Sequence, residues 1–184
     1  MKIEGSLQLI IGPMFSGKST ELIRRIHRYQ HAKLDCLVVK YLFDTRHSEE
    51  YATSIAYCKA LLMLSTHDKV FVEAMPVQAL AEVRPFLKEY DVIGIDEGQF
   101  YPDLVEFCQE AANLGKVVVV AALDATFERK AFDNVIELIP TAEKVIKLNA
   151  ICSSCGQDAA FTRRLVADKT LEVRTATTTS TTFL

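Results

Sequence analysis

An α/β architecture, a parallel sheet with helices on both faces, is predicted by three observations. Short runs that are apolar along their whole length alternate with segments of helical periodicity, and such strands belong in a sheet covered on both sides. One run, LQLII at 7–11, leads directly into GPMFSGKS at 12–19, which fits G-x-x-x-x-G-K-[ST] at every fixed position. Another, DVIGID at 91–96, ends in an acid that is followed by a second acid, Glu97. Together these define a P-loop NTPase type of sheet, with a small C-terminal region appended.

The elements follow in order. After the strand at 7–11 and the glycine-rich turn, STELIRRIHRYQHAK puts Leu22, Ile26 and Tyr29 on one helical face. LDCLVVKY at 34–41 reads as a second strand. Residues 42–70 are less regular, and the apolar part of IAYCKALLMLSTHD reads equally as a helical turn or a buried loop. MPVQALAEVRPFLKEY at 75–90 is predicted to be helical with a break near Pro85. The acid-ended strand at 91–96 precedes YPDLVEFCQEAANLG, a helix with Pro102 in its first turn, a Leu104, Phe107, Cys108, Ala111 stripe and Gly115 as its stop. KVVVVAALD at 116–124 and EKVIKLNAI at 143–151 are the last predicted strands. Only the terminal TATTTSTT is of low complexity.

A chain of 184 residues is long enough for a real core, and 49% apolar with 24% charged residues is ordinary for a globular protein. The net charge of −3 gives no electrostatic reason to expect nucleic acid or an anionic membrane as partner. The N-terminal apolar run is too short to span a membrane and lacks the layout of a secretory signal. Five cysteines, scattered and odd in number, point to free thiols or metal and to a cytoplasmic setting. Cys36, Cys58 and Cys108 lie in apolar surroundings and read as packed thiols, and His27 and His31, at i and i+4, read as a solvated or nucleotide-adjacent face.

The glycine-rich turn carries a specific chemistry. Gly12 and Gly17 let the backbone curl so that amide groups converge on phosphate oxygens. Lys18 adds a cation for the β- and γ-phosphates, Ser19 offers a hydroxyl to Mg²⁺, and the helix that follows points its positive end at the same anion. A nucleoside triphosphate is the expected ligand.

Asp96 is placed to hold Mg²⁺ directly or through water, and Glu97 reads either as a general base on the oxygen that attacks the γ-phosphorus or as the start of a solvated turn. Water as attacker makes an ATPase, and a substrate hydroxyl makes a kinase. Phe100 and Tyr101 follow the acids, while Phe127 and Phe132 flank Arg129 and Lys130 just after another strand. In an open parallel sheet the strand C-termini share one edge. Each aromatic taken singly reads as core, while together with Arg129 and Lys130 they favour a flat, uncharged small-molecule acceptor beside the phosphates.

GPMFSGKSTELIRR, DTR at 44–46, VIGIDEGQF, VEFC, the spaced VAALD, TF, RK and F of 120–132, and the KL, A, C and C of 147–155 occur in the order seen in one family. The sequence resembles the type II thymidine kinases, the cytosolic, zinc-containing enzymes that use ATP to phosphorylate the 5′-hydroxyl of thymidine. The resemblance runs from about residue 7 to about residue 173. It implies that Gly12, Pro13, Met14, Phe15, Ser16, Gly17, Lys18 and Ser19 bind the ATP phosphates, with Asp44, Thr45, Arg46, Asp96 and Gln99 assisting and Ser19 and Asp96 serving Mg²⁺. It implies Glu97 as the general base, and Met14, Phe100, Leu123, Phe127, Phe132 and Thr162 around the nucleoside. A lasso loop matching Leu171, Glu172, Val173, Arg174 and Thr175 holds thymidine through main-chain groups in the family, and a homo-oligomer, dimer or tetramer, is the implied assembly.

Several departures stand beside these matches. The chain carries HSEEYATSIAYCKALLMLS at 47–65 where the family has a short linker, Ala125 where it has glycine, and Ala131 where it has proline. Cys152 and Cys155 match the first pair of the family's four-ligand zinc knuckle, yet residues 156–184 contain neither Cys nor His. The expected organisation is a nucleotide-binding domain at 1–149 followed by an incomplete zinc and lasso region at 150–184, with zinc weakly held or absent. A thymidine kinase using ATP and Mg²⁺ is the leading expectation. A catalytically impaired nucleotide-binding paralogue and a plain P-loop ATPase are the alternatives.

Overall fold

The structure, a computed structural model, describes residues 4–42, 62–65, 71–164 and 181–183. Strand β1 (Ser6–Gly12) is followed by helix α1 (Lys18–His31), strand β2 (Cys36–Tyr41), strand β3 (Leu62–Ser65) and strand β4 (Phe71–Val77). A 3-10 helix at Leu80–Phe86 leads to β5 (Val92–Ile95), a 3-10 turn at Gly98–Phe100, and α2 (Leu104–Asn113). Then come β6 (Val117–Leu123), α3 (Asp133–Leu138), a 3-10 turn at Ile139–Thr141 and β7 (Lys144–Lys147). Two small pairs complete the described chain, β8 (Ala150–Ile151) with β9 (Asp158–Ala159), and β10 (Thr162–Arg164) with β11 (Thr181–Phe183).

The main sheet has seven strands in the order β3-β4-β2-β5-β6-β1-β7. All neighbours are parallel except β3, which runs antiparallel to β4 at the edge. Successive strand residues point to opposite faces, and both faces are buried. Ile10, Val38, Val92, Val117 and Val119 pack with Leu22, Ile23 and Ile26 of α1. Leu9, Val39, Ile93, Val118 and Val120 pack on the other side with Leu80, Val83, Leu104, Phe107, Val135 and Leu138. This double coverage is why the strand sequences read as unbroken apolar runs. A Cβ at Gly94 would lie 2.9 Å from Ile26 Cδ1, so glycine there lets α1 sit close on the sheet.

Most sequence expectations coincide with elements to within a residue or two at either end. Four do not. Residues 75–90 are not one kinked α-helix, because Met75–Val77 completes β4 in parallel register with Val39–Tyr41, and the turn-rich stretch containing Pro85 adopts a 3-10 helix. Residues 143–151 are two strands: the Leu148 N–H donates to the Ile11 carbonyl at 2.8 Å, and the chain then leaves the main sheet for β8. Leu62–Ser65, in the stretch read as a helical turn or loop, is a strand. Pro102 stands ahead of α2, whose first turn begins at Leu104. Helix α3 is an addition that the sequence reading did not include.

Cys108 is buried and Cys36 half-buried, as packed thiols; burial pushes the Cys36 thiol up to about 11, with Asp35 and Asp91 adding to the effect. Cys58 lies outside the described residues. Among the described residues no helix is long and apolar enough to cross a membrane.

Candidate active site

The loop between β1 and α1 owes its shape to a few backbone conformations. Gly12 has φ 151°, and a Cβ there would meet the Leu148 carbonyl oxygen at 2.4 Å. Gly17, at φ 80°, is needed for its left-handed backbone alone, since a Cβ would meet nothing within 4 Å. Phe15 also lies in the left-handed region, at φ 60°. Lys18 is buried and its Nζ donates to the Pro13 carbonyl at 2.7 Å, while the Ser16 hydroxyl donates to the same oxygen at 2.9 Å. The lysine therefore folds back over the loop that precedes it.

Ser19, in the first turn of α1, donates to the Asp96 carboxylate, with 2.9 and 3.2 Å to its two oxygens. One strand, β6, separates β1 from β5 in the sheet, yet the loop and the acid at the end of β5 meet. A hydroxyl and a buried carboxylate are hard oxygen donors of the kind Mg²⁺ takes, so these residues fit that ion.

Glu97 follows, buried and at φ 53°. The left-handed kink ends β5 and starts a tight turn, in which Phe100 N–H donates to the Glu97 carbonyl at 3.1 Å and Tyr101 N–H to the Gly98 carbonyl at 3.2 Å. Gln99 Nε2 donates to the Glu97 carboxylate, and Gln99 Oε1 accepts from the Leu123 N–H at 2.9 Å. The glutamine thus ties the second acid to the C-terminal end of β6. A Cβ at Gly98 would stand 2.8 Å from Val120 Cγ1, so the turn seats directly on that strand.

The remaining predicted positions divide into groups. Met14 N–H donates to the Thr162 hydroxyl at 3.0 Å, joining the phosphate loop to β10. Phe127 lies beneath the Arg164 guanidinium, 4.2 Å from ring centroid to Cζ. Phe100 stacks on Tyr41 at 5.1 Å, and both Phe100 and Phe132 pack against the main core. Arg129, at φ 62°, lies over Phe161, and exposed Lys130 pairs with Glu128 at 2.9 Å. Ala125 does not adopt positive φ; it bridges Ala131 in the hairpin after β6, with Arg129 taking the left-handed position. Asp44, Thr45, Arg46 and Leu171, Glu172, Val173, Arg174 and Thr175 lie outside the described residues. His27 is half-buried and His31 exposed on α1.

Sequence reading missed Asn134, whose amide reaches the turn after Glu97, and the Lys147–Asp124 ion pair at 2.7 Å at the mouth of the sheet. Both pair residues distant in sequence, and neither sits in a motif that would single it out.

At the C-terminal hairpin, Cys152 is buried and Cys155 exposed. The Cys152 N–H donates to the Gln157 carbonyl and the Gly156 N–H to the Cys152 carbonyl, both at 2.8 Å. The N–H groups of Cys155 and then Ser154, with the Cys155 side chain, hold the Cys152 thiol below its ordinary range. Two sulfurs converging on one turn suit a soft metal. Among the described residues, however, no group of three or more His, Cys, Asp or Glu comes together, so the donors described there, Cys152 and Cys155, amount to half of a closed four-ligand zinc site.

A phosphate loop at the end of one strand, facing an acid pair at the end of another, defines a P-loop nucleotide-binding protein of the α/β class. The flagellar accessory protein FlaH of Methanocaldococcus jannaschii has a similar fold, with a TM-score of 0.53 at 18% identity over 85% of this chain and 76% of that one. The thymidine kinase family profile matches residues 5–178. The cytosolic thymidine kinase of Bos taurus is 51% identical over 172 residues, 94% of this chain and 67% of the relative. That of Homo sapiens is 49% identical over 94% of this chain and 68% of the relative, and the thymidine kinase of Variola virus is 51% identical over 92% and 88%. This chain belongs to the thymidine kinase family.

Proposed function

We propose that the protein is an ATP-dependent thymidine kinase, moving the γ-phosphate of ATP to the 5′-hydroxyl of thymidine to give dTMP. One observation carries the reading: Ser19 of the phosphate loop and Asp96 meet at 2.9 Å, with Glu97 next in the chain and tethered by Gln99. In this family, that is the arrangement needed to hold a metal-bound triphosphate beside a base.

In the proposed mechanism, the loop amides of 12–19, the α1 N-terminus and Lys18 bind and neutralise the ATP phosphates. Ser19 and Asp96 would hold Mg²⁺, which would supply positive charge against that building on the transferring phosphoryl group. Glu97 accepts the proton of the thymidine 5′-hydroxyl as its oxygen attacks in line, and Gln99 holds the carboxylate in place through its amide. Phe100, Phe127, Phe132, Leu123, Met14 and Thr162 supply the surroundings of the nucleoside, with Asp44, Thr45, Arg46 and the 171–175 segment completing the nucleotide and lasso contacts.

The same reading carries a cytoplasmic homo-oligomer, and a division at about residue 150 between nucleotide-binding and lasso regions. Zinc enters it only as a half site, Cys152 and Cys155, and no step depends on it.

The test is direct. Purified protein given ATP, Mg²⁺ and thymidine makes dTMP, and Glu97→Gln removes that activity while ATP binding, read by calorimetry, is kept. If thymidine fails to stimulate ADP production at any concentration, the reading falls.

A further inference from the structure

We propose that Asn134 is a positioning residue that clamps the turn carrying the base. Its Nδ2 donates to the Tyr101 carbonyl at 2.9 Å and lies 3.3 and 3.5 Å from the carbonyls of Gln99 and Gly98. An amide NH2 has two hydrogens to give, and three carbonyl oxygens of one turn of main chain lie within its reach. The inference rests on the kinase reading for its catalytic consequence and on geometry alone for the clamp.

The turn needs an external hold. Glu97 begins it in a left-handed conformation that costs a non-glycine residue energy, and two main-chain bonds, at 3.1 and 3.2 Å, close it internally. Gln99 holds it from β6, and Gly98 seats it on Val120. Asn134 holds it from the remaining direction. Its own helix is short, but Val135 and Leu138 are buried in the main core and fix α3 firmly enough to act as an anchor. A carboxylate displaced by about 1 Å from its proton-transfer position forfeits on the order of a hundredfold in rate, so a loosened turn is read in kcat.

Asn134 is the second residue of α3, and that position separates the clamp from an ordinary structural role. Near a helix N-terminus, Asp is at least as good as Asn because its charge favours the helix dipole. Facing three carbonyl oxygens, the same carboxylate has no hydrogen to give and is repelled. Asn134→Asp therefore leaves a helix-only role unharmed and breaks the clamp.

The experiment compares wild type with Asn134→Asp and Asn134→Ala in the full chain. Expected are a fall in kcat of about tenfold to a hundredfold, KM for ATP within about twofold, and faster amide exchange at Phe100 and Tyr101. Unchanged exchange at those two amides, or wild-type kcat in both variants, overturns the proposal. If wild type itself does not phosphorylate thymidine, the kinase reading falls, and the exchange data still decide the clamp.

Discussion

The hydroxyl of Thr162 accepts the Met14 N–H at 3.0 Å, so the phosphate loop is bonded to the segment that follows the cysteine hairpin. A main-chain donor inside a loop shaped for phosphate is thereby held by a residue 148 positions away. The C-terminal region thus bears on the nucleotide site as well as on the nucleoside site that the family resemblance assigns to it.

Thr162→Val keeps the shape and removes the acceptor. A partly buried N–H then loses its partner, at a cost of about 1–2 kcal/mol. The expected result is a rise in KM for ATP of about fivefold to tenfold. Thr162→Ser should keep the wild-type value, and a Val variant indistinguishable from wild type would show that the bond does not support nucleotide binding.

Asp96→Asn keeps the Ser19 hydroxyl near an oxygen but removes the charge that suits a divalent cation. Turnover should fall by about a hundredfold or more and should require more Mg²⁺ for half-maximal rate. In wild type, chelation should stop the reaction and added Mg²⁺ restore it. An Mg²⁺ titration of both proteins checks this.

Tyr101 is fully buried, set edge-on against Tyr41 with centroids 5.5 Å apart, and its hydroxyl has no hydrogen-bond partner among the described residues. Burial, with Asp96 nearby, pushes its ionisation far above the ordinary tyrosine range. Tyr101→Phe removes an unsatisfied oxygen and keeps the ring, so it should stabilise the fold by about 1–2 kcal/mol with activity retained. Urea denaturation of the two proteins gives the sign, and a clear loss of stability would mean that the hydroxyl is satisfied in solution.

Glu21 accepts from Arg24 and from the buried Arg25, which in turn donates to Gln8 of β1. The hydrogen bond from Arg24 is the largest influence on its carboxyl, opposed by burial and aided by Arg25, and the net effect lowers it from 4.5 to about 2. A lowered carboxyl stabilises the fold above its unfolded value and loses that contribution as pH falls from 4.5 towards 2. Glu21→Gln should cost about 1–3 kcal/mol near neutrality, chiefly through Arg25, because the exposed Arg24 is screened by solvent. The difference from wild type should shrink on acidification, and denaturant midpoints measured across that range would reveal a wrong sign.

Ala125 stands where the family resemblance implies glycine, and its backbone does not require one. Ala125→Gly should therefore cost about 0.5–1 kcal/mol by giving the unfolded chain more freedom, with little change in turnover. A stabilising glycine would show that the hairpin between Ala125 and Ala131 is strained.

How much was legible in the sequence follows from how local each signal is. GPMFSGKS and VIGID announce themselves because a short stretch contains both the backbone shape and the chemistry. The helical stripe Leu104, Phe107, Cys108, Ala111 is local in the same way, and all four residues are buried. The strand character of Met75–Val77 was hidden because it depends on pairing with Val39–Tyr41, and periodicity in one segment does not report a partner in another. Asp103 shows the same limit: it is the N-cap residue of α2 but makes no side-chain cap bond, and its carboxylate accepts instead from the Leu80 and Ala81 N–H groups, at 3.1 and 2.8 Å. Asn134 and the two-sided role of Gln99 are also tertiary, set by where α3 and β6 come to rest.

The sheet works as a caliper. Strands lie about 4.8 Å apart, so the gap between the phosphate loop on β1 and the acids on β5 is two strand widths, with β6 as the spacer. That gap is set by main-chain hydrogen bonds and not by loop length. The described part of the 47–65 segment, Leu62–Ser65, joins the sheet as the outermost strand, with β4 and β2 between it and β5. Chain at that margin widens the sheet without opening the jaws of the caliper, so length at this rim leaves the separation of the reactive groups unchanged.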